Sequence, residues 1–227
     1  MSINLKKGQK IDLTKPSGES LSNFCVGVNW GAFEVAKPGF LGFGSKMVVE
    51  DCDLDLSCVM TDTGGEMVDA LYSPEYNGWL RKNNFPLGKL ESLDKALRHS
   101  GDDRQGDVGG DDGLDNEVIS VDLNRVDTRV DKIYFFLNIY LNEGQSYDFS
   151  DIPFAKIRMY EGTPSKVQSV HATFDVVTDS TFKEKKALIL GKLYRKNGQW
   201  KFDAIGDSTN DSIFMQTLLH ILKNYSK

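Results

Sequence analysis

The chain has 227 residues, 40% of them hydrophobic, which is enough to fill a substantial core in one large all-β domain or two small ones. Its formal net charge is −6 and it has no basic cluster, a balance that argues against nucleic acid or an anionic membrane as the principal partner. No apolar run approaches the length of a bilayer-spanning segment or a secretory leader, so the chain is expected to be cytoplasmic.

Short β-branched and apolar runs recur between turn signals. In chain order, the expected strands are Phe24 to Trp30, Met47 to Met60, Val118 to Leu123, Lys132 to Leu141, Ala155 to Tyr160, Val170 to Thr178, Ala187 to Arg195 and Trp200 to Ile205. The glycine run Gly39 to Lys46 does not fit a phosphate-cradling loop and is expected to join two strands. The region Asp62 to Arg98 contains Pro74, Trp79, Pro86 and several glycines; it is expected to be an excursion with a short helix near Leu90 to Leu97. Asn197-Gly198 sits between two strand runs and is a two-residue hairpin signal, because both positions tolerate positive φ. From Asp211, an expected N-cap, Phe214, Leu218, Ile221 and Leu222 recur at helical spacing. That helix is expected to cover the chain's own core, with docking to another subunit as the alternative. Many short strands with almost no intervening helix point to a mainly β fold, a β-sandwich forming one domain. Cys25, Cys52 and Cys58 are odd in number and lie in apolar segments, as buried reduced thiols do.

The chemistry concentrates in the stretch from His99 to Glu117. It carries Asp102, Asp103, Asp107, Asp111, Asp112, Asp115 and Glu117, interleaved with five glycines, and Arg104 is its one certain positive charge. The loop therefore carries a formal charge of −6, equal to that of the whole chain, so the remainder is close to neutral. A second acidic run, Asp51-Cys52-Asp53-Leu54-Asp55-Leu56-Ser57-Cys58, alternates strictly. On a strand this places Asp51, Asp53, Asp55 and Ser57 on one face, roughly 6.6 Å between successive members, and the apolar residues on the other. Carboxylates so crowded repel unless a cation neutralises them, and hard oxygen donors on a glycine-rich backbone suit calcium, which accepts irregular coordination. The plainer alternative is a solvated acidic loop beside an ordinary strand. An EF-hand frame begun at Asp111 fails, because Asn116 stands at the required glycine and Asp122 at the final glutamate. No acid/base or nucleophile arrangement stands out. Ser100 has no nucleophile elbow, His99 reads as a hydrogen-bond donor that orients the loop, and His171 and His220 are isolated.

Several motifs in order resemble the TerD family of bacterial tellurium-resistance and general stress proteins. They are Leu5-Lys6-Lys7-Gly8-Gln9, Val26-Gly27-Val28-Asn29-Trp30, Asp53-Leu54-Asp55-Leu56-Ser57, His99-Ser100-Gly101-Asp102-Asp103, Asp115-Asn116-Glu117-Val118-Ile119 and Gly198-Gln199-Trp200-Lys201-Phe202. The resemblance covers about residues 1 to 206, an expected β-sandwich domain with an insertion-like region near 62–98, followed by a helical extension over 207–227. It implies calcium binding, with two neighbouring ions, through Asp53, Asp55, Asp102, Asp103, Asp115 and Glu117. Family members commonly carry an acid after the first Trp, where this chain has Gly31, and an acid where it has Asn116; Asp107, Asp111 or Asp112 are the expected substitutes. The resemblance further implies a non-enzymatic calcium-ordered binding or scaffold module in the stress response. The partners it implies are related stress proteins or a membrane-associated complex. The alternative functional class is a metal-dependent enzyme acting on a phosphate-containing substrate, and a third is a scaffold whose acidic loop binds a basic protein.

Overall fold

Strand-forming runs separated by turn residues fold into two six-stranded sheets that share one apolar interior. The structure, a computed structural model, describes residues 2–15, 17–38, 44–50, 53–141, 144–176 and 180–226. The elements in chain order are β1 (Ile3–Asn4), β2 (Lys10–Asp12), β3 (Asn23–Trp30), β4 (Phe33–Pro38), β5 (Ser45–Glu50), β6 (Asp53–Thr61), β7 (Met67–Leu71), α1 (Asn77–Lys82), β8 (Leu97–His99), β9 (Glu117–Asp122), β10 (Lys132–Tyr140), β11 (Ala155–Thr163), β12 (Lys166–Asp175), β13 (Ala187–Lys196), β14 (Gln199–Thr209) and α2 (Phe214–Asn224). One sheet has the order β1-β12-β11-β3-β9-β8 and the other β2-β14-β13-β10-β6-β7, while β4 and β5 form a separate ribbon.

Alternation decides which side chains enter the interior. Phe24, Val26, Val28 and Trp30 of β3 meet Leu54, Leu56, Cys58 and Met60 of β6 and Ile133, Phe135, Leu137 and Ile139 of β10 in one buried cluster. Helix α2 lies on the outer face of the second sheet. Its Phe214, Met215, Leu218 and Ile221 pack with Val59, Tyr134, Phe136 and Ile189, and the excursion adds Tyr72 and Leu80 to the same layer. Strand β6 is thus covered on both faces, and all nine of its residues are buried. That coverage carries Asp53, Asp55 and Ser57 into a protected layer rather than leaving them on a solvated surface.

The β13–β14 hairpin turns at Asn197 (φ 53°) and Gly198 (φ 76°), the two positive angles that the Asn-Gly pair was expected to supply. Three local expectations are corrected. The run Met47 to Met60 is two strands: β5 pairs with β4 in the exposed ribbon, β6 enters the second sheet, and Asp51 and Cys52 between them lie outside the described residues. Residues 90–97 contain a turn at Ser92–Lys95 rather than a helix, because Asp94 Oδ1 accepts from Ser92 Oγ (2.6 Å) and Ala96 N (2.9 Å), which ties the backbone out of helical geometry. The helix of that region is α1 instead. Asp211 does not cap α2, since its Oδ2 accepts from Thr209 Oγ1 at 2.6 Å, and the helix starts after Ile213. Cys25 and Cys58 are buried free thiols, Cys52 lies outside the described residues, and Thr178, expected to end a strand, does too. The glycine run is flanked by the paired strands β4 and β5, and residues 39–43 lie outside the described residues. Among the described residues no helix is long and apolar enough to cross a membrane.

Candidate metal centre

Strand β6 is paired with β10 along its whole length, but β7 pairs only with Cys58 to Thr61. The other flank of its first half is satisfied by side chains at the two ends of the acidic loop. Leu56 N donates to Glu117 Oε2 (2.7 Å), and His99 Nε2 lies 2.9 Å from Leu56 O. Gly101 N donates to His99 Nδ1 (3.1 Å), which places the ring proton on Nε2 and makes His99 the donor to Leu56. Glu117 Oε1 also accepts from Asp103 N at 3.3 Å. The loop leaves β8 and returns on β9, with His99 paired opposite Ile119, and Ser100 N closes its neck on Val118 O (2.8 Å). His99 and Glu117 are therefore the pins that hold the loop against the Asp53–Asp55 half of β6.

This closure brings Asp53, Asp55 and Asp102 together, with one oxygen of each mutually within 4.8 Å. They face a cavity of about 150 Å³ that Glu75, Tyr76, Arg104 and Tyr140 also line. Tyr76 OH donates to Asp55 Oδ2, and Arg104 Nε donates to Asp102 Oδ2 at 3.1 Å. Asp53 Oδ1 is buried with no hydrogen-bond partner. Burial, followed by the charges of Asp102 and Glu117, pushes the Asp53 carboxyl up to about 8. Asp55 is raised well above the usual carboxylate range by burial and by Asp53, and burial raises Glu117 too. A buried carboxylate oxygen without a donor, inside a set of mutually repelling acids, fits a hard cation that takes oxygen ligands.

A second group, Asp107, Asp111 and Asp112, is equally close-knit and more exposed. Asp107 N donates to Trp30 O and Ala32 N to Asp107 O, both at 2.8 Å, so Asp107 lies strand-like beside Gly31. A side chain at Gly31 would meet Phe154 at 2.7 Å and Pro153 at 2.8 Å. A side chain there has no room, and the backbone of Asp107 runs beside the position. Asn116 Nδ2 donates to Asp107 Oδ1 (3.1 Å) and Asp103 Oδ2 (3.3 Å), and its Oδ1 accepts from Trp30 N (2.9 Å). An amide can donate to two carboxylates where an acid would repel them. The Gly113 amide and Lys156 hold the Asp111 carboxyl below its usual range.

Of the nine expected ligands, six fall into these two groups and three do not. Asp103 Oδ1 accepts from Gln105 N (3.0 Å) and Gly106 N (3.2 Å) and so shapes the turn. Glu117 is a pin. Asp115 accepts from Arg158 Nε at 2.8 Å on the far side of the loop, with its side chain fully buried. It approaches so closely that a Cβ on Gly27 would lie 2.2 Å from Asp115 Oδ2, which is why that strand position is glycine. Tyr76, Glu75, Tyr140 and Asn29 were not singled out from the sequence. Asn29, which donates to Asp111 Oδ1 at 3.0 Å, stands as an amide within the apolar run Phe24 to Trp30, and that was the available signal. His171 pairs with Glu161 and His220 lies near Asp211, both away from the acidic loop.

A family model described as the TerD domain matches residues 1–221. Stress response protein SCP2 of Bacillus subtilis is 33% identical over 215 residues, covering 93% of this chain and 95% of that protein. Tellurium resistance protein TerD of Serratia marcescens is 30% identical over 206 residues, covering 91% and 90%. Among solved structures, a homologue of telluride resistance protein (TerD) from Streptomyces coelicolor aligns with a TM-score of 0.57 at 14% identity, covering 91% of this chain and 98% of that one, a likeness of fold.

Proposed function

The chain belongs to the TerD domain family, and from that premise we propose that it is a cytoplasmic calcium-binding protein of the tellurium-resistance and stress-response type. The observation that carries the calcium reading is the unpartnered, buried Asp53 Oδ1 within a three-carboxylate group. Asp53, Asp55 and Asp102 supply oxygens to one ion, and Asp107, Asp111 and Asp112 to a second. Asp103, Glu117 and Asn116 shape and pin the loop that presents them. Calcium suits this set better than magnesium because Asp53 and Asp55 are fixed by a strand while Asp102 comes from a loop, an irregular cage that a small octahedral ion tolerates poorly. Bound calcium cancels the repulsion, orders the loop and offers a fixed surface to a protein partner, such as a related stress protein, without chemistry at the site.

The test is a pair of isosteric variants. Asp53→Asn is expected to abolish the first binding event and leave the second, and Asp112→Asn the reverse, each read by calcium calorimetry on chelator-stripped protein. Two unchanged isotherms would remove the ligand assignment.

A further inference from the structure

The cavity in front of Asp53, Asp55 and Asp102 has one positive side chain in its lining, Arg104. Its guanidinium reaches two carboxylates at once. Nε donates to Asp102 Oδ2 at 3.1 Å, and a terminal nitrogen lies 3.1 Å from Glu75 Oε2. Glu75 belongs to the 3-10 turn Pro74–Tyr76 of the excursion, across the cavity mouth from the loop. The two rim side chains are well exposed, Arg104 at 57% and Glu75 at 64%, whereas Asp102 is 20% exposed. Arg104 thus has one partner inside the site and another at its edge. The same turn supplies Tyr76, whose hydroxyl donates to Asp55, so one short segment holds two of the three grouped acids, Asp102 through Arg104.

Resting on the cation reading of this site, we infer that Arg104 is the site's own competing cation: it neutralises Asp102 when no divalent ion is bound, passes wholly to Glu75 when one is, and with Glu75 sets the affinity. An arriving ion shares the Asp102 carboxylate with Arg104 Nε, which is bonded to Oδ2, and it repels a guanidinium that cannot shed its proton. At about 5 Å in a solvated cavity that repulsion changes affinity by roughly tenfold at physiological salt. Glu75 makes the exchange feasible, because the displaced guanidinium keeps a charged partner and gives up one hydrogen bond rather than all of them. Asp53, which also lines this cavity, carries the buried and unpartnered Oδ1, an independent sign that a ligand belongs here.

The experiment is a double-mutant cycle on the full chain, with calcium affinity read by competition against a fluorescent calcium chelator and folding checked by circular dichroism. Arg104→Gln should bind calcium roughly tenfold more tightly, and Glu75→Gln roughly threefold more weakly. Glu75→Gln should have a smaller effect in the Arg104→Gln background, because the resting place matters only while the arginine is there. Arg104→Lys keeps the charge but cannot fork between two carboxylates, and should fall between wild type and Arg104→Gln. Unchanged or weaker binding by Arg104→Gln, or additive effects of the two substitutions, overturns the exchange and leaves the cation site standing. Absence of calcium binding by the folded wild type overturns both.

Discussion

Asp53 and Asp55 lie on a strand whose nine residues are all buried, and their protonation should dominate how the protein responds to pH. Both carboxyls are raised, Asp53 to about 8, first by burial and then by neighbouring acids. A folded-state carboxyl raised above its unfolded value means that the native protein binds more protons than the unfolded chain between those values, so stability falls as pH rises through that window. In chelator, the melting temperature should therefore drop by roughly 5–10 °C from pH 5 to pH 8, and calcium should reverse the drop by taking the proton's place. Calorimetry near pH 7 in buffers of different ionisation enthalpy should show protons released on calcium binding; a melting temperature that rises with pH in chelator would contradict this. Asp53, Asp55 and Asp102 were legible in the sequence because strand alternation and glycine spacing are local patterns. Tyr76 and Glu75 were not, since they reach the site from a separate excursion and nothing in Pro74-Glu75-Tyr76 marks that destination.

Two pins join the strands to the site, and one helix covers the second sheet. Glu117 accepts from both Leu56 N and Asp103 N, so Glu117→Gln would turn an amide donor toward one of two backbone donors. The expected cost is about 1–3 kcal/mol in urea unfolding, together with weaker calcium binding. In α2, Leu218 is buried against the second sheet while Leu219 is 49% exposed. Leu218→Ala should cost about 2–5 kcal/mol and Leu219→Ala within about 0.5 kcal/mol, with no dependence on calcium in either case. Equal losses at the two positions would refute the packing assigned to the helix. The strand runs were readable from period and composition, but partner choice was not. Met47 to Met60 reads as one strand-forming stretch, and pairing with the preceding β4 on one side and the distant β10 on the other divides it. The turn at residues 90–97 misled for a related reason: Asp94 also accepts from Asp127 N at 2.8 Å, a contact made across the fold.

Over the whole molecule, the net negative charge resides in one loop, and the charges of the rest of the chain nearly cancel. The fold supplies what that loop lacks alone: a strand covered on both faces that presents Asp53 and Asp55, and the His99 and Glu117 pins that bring Asp102 to them. Such an arrangement gives up stability to like-charge repulsion in order to respond to a cation, and the response should weaken with ionic strength as exposed charges are screened. The most direct measurement is a calcium titration by calorimetry on the chelator-stripped protein, with magnesium as competitor. Micromolar or tighter binding at about one to two sites, little affected by millimolar magnesium, is the predicted result. A folded protein that gives no calcium heat, or that binds magnesium equally well, would contradict the account.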